Sequence, residues 1–291
     1  MFFGSIPALV TPFSGNCVDE DSLSAFVDWQ IEQGSNGLVP CGTTGEVATL
    51  TAEEHRAVIA TVIRVSNGRV PVIAGTGTYN TQASIERTRA AADLGADAVL
   101  AVVPYYNKPS QAGLEAHFTA IADASPIPVV VYNVPSRTVA DISVETLAEI
   151  SKLPTIVGIK DATGNLGRVS AQRLACGEDF VQLSGNDDMA LGFNAMGGVG
   201  CISVTANVAP RLCADFQSAT REGKWEEALK LQDRLYPLHA ALFSDASPGP
   251  AKYALTRVRP GYLAGLRLPL TEPSDASKRA VDQALEHAGL L

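Results

Sequence analysis

Positive charge is in short supply in this chain. Lys plus Arg number 22 against 31 Asp plus Glu, a formal net charge of −9. Such a surface repels phosphate polymers and anionic lipid, which argues against nucleic acid or a membrane surface as partner. Cysteine is also sparse. The five residues, Cys17, Cys41, Cys176, Cys201 and Cys213, are odd in number, scattered and without a C-x-x-C pair. Neither a disulfide framework nor a zinc site is indicated, and a reducing cytoplasm is the expected compartment. The four histidines (His55, His117, His239, His287) lie in helical segments without H-x-x-x-H spacing. They read as solvated or capping residues, and no metal is expected. No apolar run approaches the roughly 18 residues of a membrane-spanning helix. Met1 to Phe13 is apolar but lacks a basic leader and is broken by Gly4, Pro7 and Pro12, so it reads as a strand rather than a signal peptide.

What is present is core-forming material: 291 residues, 46% of them apolar and 18% charged. Short β-branched runs alternate with segments of helical period. The expected strands are Ile6–Val10, Gly37–Pro40, Val70–Ala74, Ala98–Val103, Pro128–Tyr132, Thr155–Lys160, Phe180–Leu183 and Val199–Val204. Between them the helical segments are Asp21–Gln33, Thr51–Val65, Thr81–Leu94, Gln111–Asp123, Val144–Lys152, Leu166–Cys176 and Asp187–Met196, followed by Ala209–Glu222. Thr51 and Glu54 have capping-box spacing. Gly34, Gly95 and Gly197 each stop a helix shortly before a strand. Eight strand–helix alternations predict an α/β fold, a closed (β/α)8 TIM barrel over residues 1–223, with 224–291 as a C-terminal helical appendage.

Reactive groups of such a barrel sit where strands end. Lys160, one of only seven lysines, alone closes a strand, and period-2 alternation sets it on the face of Gly158 and Ile156. An amine among apolar neighbours loses solvation of its charged form, and the neutral amine attacks carbonyl carbon. Residue type and position leave a second reading open, a lysine reaching to solvent or paired with Asp161. Tyr132 can pass protons or fill the core, and Arg137 can clamp a carboxylate or stand solvated. Gly42-Thr43-Thr44-Gly45 can face an anion or simply turn the chain. Gly75-Thr76-Gly77 lacks the third glycine of a dinucleotide fingerprint, Asn80 standing there, so a nucleotide is discounted. Tyr105 and Tyr106 serve a site or an interface.

These residues bring out a resemblance. The chain is similar along its whole length to the pyruvate-dependent Schiff-base barrels of the N-acetylneuraminate lyase superfamily, and within it to the dihydrodipicolinate synthases. The carrying stretches are Gly42 to Glu46, Pro104 to Pro109, Tyr132 to Thr138, Gly158 to Gly164 and Gly200 to Asn207. The resemblance implies a lyase of lysine and diaminopimelate biosynthesis that needs no cofactor beyond a covalent imine between Lys160 and pyruvate. Thr43 and Thr44 would receive pyruvate's carboxylate. Tyr132, Thr44 and Tyr106 would relay protons, Tyr106 entering from a neighbouring subunit. Arg137 would bind the carboxylate of aspartate-4-semialdehyde, and the backbone near Gly185 and Ile202 would form pocket wall. A homotetramer, a dimer of dimers, is implied. Ser247 stands where the synthases often carry Asn. Of the family's lysine-feedback site, His55 and Tyr105 match, whereas Tyr79 and Ala83 replace the usual Asn and Glu, and Ala52 a second His; weak or absent lysine inhibition is expected. Two other readings share these residues: a superfamily lyase using another aldehyde, and a regulatory barrel that lost the reaction. The intact residue set speaks against the latter.

Overall fold

The computed structural model describes residues 2–291. Its strands are β1 (Gly4–Pro7), β2 (Phe13–Ser14), β3 (Cys17–Val18), β4 (Ile73–Gly75), β5 (Ala98–Val102), β6 (Val129–Asn133), β7 (Ile156–Asp161), β8 (Val181–Ser184) and β9 (Gly200–Ser203). Seven run parallel in the order β1-β9-β8-β7-β6-β5-β4, and β2–β3 is a separate antiparallel hairpin. The expected strand at Gly37–Pro40 lies between β1 and β4, where Leu38 bridges to Val72 and Val39 to Ala8. Leu38 N–H donates to Pro71 O at 2.9 Å and Val39 N–H to Pro7 O at 3.0 Å, so the sheet closes on itself. Prolines 7, 40 and 71 in this zone carry no N–H, which interrupts the ladder and leaves bridges in place of a full strand.

Alternation along the strands divides the core in two. In β5 and β6, Ala98, Leu100, Val130 and Tyr132 point inside the barrel, while Val99, Ala101, Val129 and Val131 meet the surrounding helices. In β7 the pattern slips: the register against β6 shifts between Val129, paired with Ile156, and Val130, paired with Gly158. The bulge corrects the simple alternation expected for this strand. Ile156 joins the outer core, and Gly158 alone of the two shares the inner face of Lys160. A Cβ on Gly158 would come within 2.4 Å of Val181 O, so β8 crowds the bulge too closely for a side chain.

The helices fall within a few residues of their expected bounds. Thr51 and Glu54 make the capping box, and Gly34, Gly95 and Gly197 have φ of 97°, 93° and 108° at the helix stops. One helix differs. The segment beginning at Asp187 is a 3-10 turn, Asp187–Met189, before a short helix, Ala190–Ala195, because the Asp187 side chain is drawn to the end of β9. No helix among the described residues is long and apolar enough to cross a membrane.

After Gly223 come the helices Trp225–Ala241, Gly249–Val258 and Asp275–His287. Lys252 anchors them to the barrel: its side chain is fully buried, pairs with the Glu46 carboxylate, and donates to Gly265 O at 2.6 Å. Burial pulls this ammonium below its ordinary value, and the Glu46 charge opposes that. Arg267 grips Glu54 and donates to Thr49 O at 3.0 Å and Asn16 O at 2.6 Å. Its hydrogen bonds hold the Glu54 carboxyl down at about 2. Removing one partner of a buried ion pair strands the other charge, so Lys252→Met is expected to cost about 3–5 kcal/mol in urea unfolding. Lys252→Met combined with Glu46→Gln should recover most of that. A single-variant loss below ~1 kcal/mol would show the pair to be no anchor.

Candidate active site

The site opens at the ends of β6, β7 and β8, in a cavity of about 440 Å³. Lys160 and Tyr132 face each other across paired strands on the inner face, with Lys160 Nζ 4.3 Å from the Tyr132 ring centroid. Lys160 is 6% exposed. Among the described residues no carboxylate lies within 4.0 Å of its amine. Asp161 points the other way, where it accepts from Thr163 N–H at 2.8 Å, Thr163 Oγ1 at 2.6 Å and Gln172 Nε2 at 2.7 Å. The pairing of Lys160 with Asp161 is thereby excluded: the pleat separates them and Asp161 is already bonded. Gly185 explains itself by space, since a Cβ there would lie 3.1 Å from Lys160 Cε and 2.6 Å from the Ala162 Cβ.

Thr43 and Thr44 line the cavity from the Gly-Thr-Thr-Gly turn. The turn is closed by Gly45 N–H donating to Gly42 O at 3.0 Å, and Thr11 Oγ1 holds Gly45 O at 2.8 Å. Glu46, at φ 56°, directs its carboxylate down to Lys252. Arg137 also lines the cavity, from a single helical turn, Pro135–Thr138, after β6. That turn is set by Thr138, whose hydroxyl donates to Ala140 O at 2.8 Å, and by Asn133, whose amide donates to Asp141 Oδ1 at 2.7 Å.

Two of the expected residues stand apart from this cavity. Ile202 is fully buried in the cluster inside the barrel and is not among the lining residues. Tyr106 is 90% exposed, in the left-handed region at φ 65°, away from the cavity of its own chain. Its neighbour Tyr105 meets Tyr79 edge-on with centroids 5.3 Å apart.

Other lining residues escaped the reading from sequence. Tyr236, His239 and Phe243 come from the helix Trp225–Ala241 and the residues just after it, and Asp187 and Asp188 from the turn after β8. The acidic pair follows a strand end, a position that could have flagged it; the helical residues lie beyond the last strand, where the rule of strand ends is silent. Reading the histidines as solvated or capping is corrected as well. His55, His117 and His239 are buried, and one ring nitrogen of each finds a polar partner inside. His55 Nε2 lies 2.8 Å from Gly75 O, His117 Nδ1 2.9 Å from Thr81 Oγ1 and His239 Nδ1 2.8 Å from Thr205 Oγ1. Burial favours their neutral forms, lowering His117 to about 4 and lowering His239 against the opposing charges of Asp187 and Asp188. Among the described residues no group of three or more His, Cys, Asp or Glu is placed to hold a metal ion.

A buried amine beside a phenol, with hydroxyls and a guanidinium around an open cavity, can form an imine with a small carboxylated ketone. Known proteins match the chain from end to end. The sequence model of the Dihydrodipicolinate synthetase family matches residues 1–288. The chain is 63% identical over 290 residues to a 4-hydroxy-tetrahydrodipicolinate synthase of Rhizorhabdus wittichii, and 64% identical over 291 residues to one of Zymomonas mobilis, with 100% of both chains covered in each case. It superposes with a TM-score of 0.97, at 44% identity and 100% coverage of both chains, on the chloride-inhibited dihydrodipicolinate synthase of Acinetobacter baumannii complexed with pyruvate. Matched from end to end in sequence and in fold, the chain belongs to the dihydrodipicolinate synthetase family.

Proposed function

We propose that this chain is a lyase that condenses pyruvate with aspartate-4-semialdehyde to give 4-hydroxy-tetrahydrodipicolinate, the first committed step of lysine and diaminopimelate biosynthesis. The observation that carries the reading is the Lys160 amine, nearly buried, free of any carboxylate partner and 4.3 Å from the Tyr132 ring above an open cavity.

In this mechanism Lys160 Nζ adds to the ketone carbon of pyruvate and water leaves, so the enzyme needs no cofactor beyond that imine. Thr43 and Thr44 hold the pyruvate carboxylate. Loss of a methyl proton gives an enamine whose carbon attacks the aldehyde, and the substrate's amino nitrogen then displaces the lysine as the ring closes. Tyr132, Thr44 and Tyr106 carry the protons, and Arg137 binds the carboxylate of the aldehyde substrate. Gly185 leaves room for the lysine stem, and Ile202 supports the pocket from within the barrel. Residues 1–223 act as the catalytic barrel and 224–291 as the helical region that closes its outer wall.

Tyr106 fits this scheme as a residue offered to a neighbouring copy of the chain. A tyrosine 90% exposed in the left-handed region is unusual for a bulky side chain, and such conformations gather at functional sites. The assembly we infer is a homotetramer in the cytoplasm, a dimer of dimers.

Incubation with pyruvate and borohydride, followed by peptide mass analysis, should locate a reduced adduct on Lys160. Supplying aspartate-4-semialdehyde and the downstream reductase should then give turnover; no adduct overturns the Schiff-base reading, and an adduct without turnover overturns the aldehyde assignment. Tyr106→Phe should lower kcat about 10²-fold while the pyruvate adduct still forms, the loss expected of a proton relay. Unchanged kcat would remove Tyr106 from it. Lysine should inhibit weakly or not at all, because Ala83 offers nothing to an ammonium and Tyr79 fills the space beside Tyr105; inhibition at sub-millimolar lysine would contradict this.

A further inference from the structure

We propose that Asp188 recognises the ammonium group of the second substrate, forming with Arg137 a two-point receptor for a zwitterionic amino-aldehyde. The assignment rests on the function proposed above and extends it to the basis of aldehyde selection. Four residues with charged side chains line the cavity: Arg137, Lys160, Asp187 and Asp188. Lys160 is committed to the imine. Asp187 is saturated, one oxygen taking the Ser203 hydroxyl and the other the backbone N–H groups of Val204 and Thr205 at 2.9 and 3.2 Å. It ties down the end of β9 and has no oxygen left for a ligand.

Arg137 and Asp188 remain. Among the described residues, neither side chain has an opposite charge within 4.0 Å or a hydrogen-bond partner. Asp188 is nonetheless well positioned. Its backbone carbonyl accepts from Gln232 Nε2 at 3.1 Å, and its 3-10 turn is pinned by Asp187, so the main chain is fixed while the carboxylate stays free. The strand order β8-β7-β6 sets Lys160 between the loop that carries Asp188 and the loop that carries Arg137. Two strand spacings, about 9.5 Å, separate those loops, a gap that the α-carbon of a small amino acid spans with the reach of an arginine.

Such a receptor disfavours a deaminated aldehyde, since its carboxylate on Arg137 would face the Asp188 charge with no ammonium between them. Asp188 is exposed, so the contact is weak enough to break when the amino nitrogen turns to close the ring.

The test compares aspartate-4-semialdehyde with succinate semialdehyde, which keeps the carboxylate and aldehyde and lacks the ammonium. Asp188→Asn should raise KM for aspartate-4-semialdehyde about fivefold, leave KM for pyruvate unchanged, and lower the Ki of succinate semialdehyde as a competitive inhibitor. Asp188→Glu should restore part of the affinity. An unchanged KM, or equal weakening of both aldehydes, overturns the proposal. Borohydride trapping of pyruvate on Lys160 runs beside each assay. Its failure in the wild-type chain overturns the underlying function; its failure in Asp188→Asn alone overturns the assignment of Asp188 to the second substrate.

Discussion

The cavity depends on one buried ion pair, between Glu46 at the end of the Gly-Thr-Thr-Gly turn and Lys252 on a helix that follows the barrel. Two charges taken out of water are a poor source of stability by themselves, and apolar residues of similar volume often do as well. Direction is what the pair adds. The Glu46 carboxylate also accepts the Arg267 N–H at 3.2 Å, and the Lys252 amine also donates to Gly265 O, so the turn and the C-terminal segment hold each other in one orientation. Thr43 and Thr44 stand three and two residues before Glu46. Fixing Glu46 from below therefore fixes the hydroxyls above, and it seats the C-terminal segment whose Tyr236, His239 and Phe243 form the outer wall.

Much of this was legible in the sequence because a barrel repeats one unit. Helix stops at glycine, a capping box and short β-branched runs are local signals, and Lys160, Tyr132, Thr43, Thr44, Arg137 and Gly185 do converge on one cavity. What was not legible depends on partners distant in the chain. The bulge in β7 arises from pairing with β6 and β8, so period-2 alternation set Ile156 on the wrong face. The partial strand at Leu38–Val39 reflects prolines on three segments meeting at one place. Lys252 looked like an ordinary helical lysine, and its partner lies 206 residues away. The buried histidines follow the same logic, since Gly75, Thr81 and Thr205 become their partners only once the chain has folded.

The net charge of −9 makes the site a local exception. Substrates bearing carboxylates approach an acidic protein, so attraction has to come from a few groups and must work at short range. Asp187 would worsen this if its charge were free. Drawn into hydrogen bonds from β9, it spends its charge on architecture and leaves Arg137 and Asp188 as the unpaired charges at the cavity.

The geometry around the Lys160 amine finally comes down to two residues with no chemistry of their own. Gly158 lets β8 approach the bulge, where a Cβ would strike Val181 O at 2.4 Å, and that approach carries the β8 end toward Lys160. Gly185, at that end, would place a Cβ 3.1 Å from Lys160 Cε, so only its absence leaves the lysine stem a straight course to the cavity. Close strands exclude water and carboxylates from the amine, and missing side chains keep the amine from being crowded out. The same tight parallel sheet that buries the lysine makes these glycines necessary, which is why a buried amine here needs a bulge beneath it and a glycine beside it.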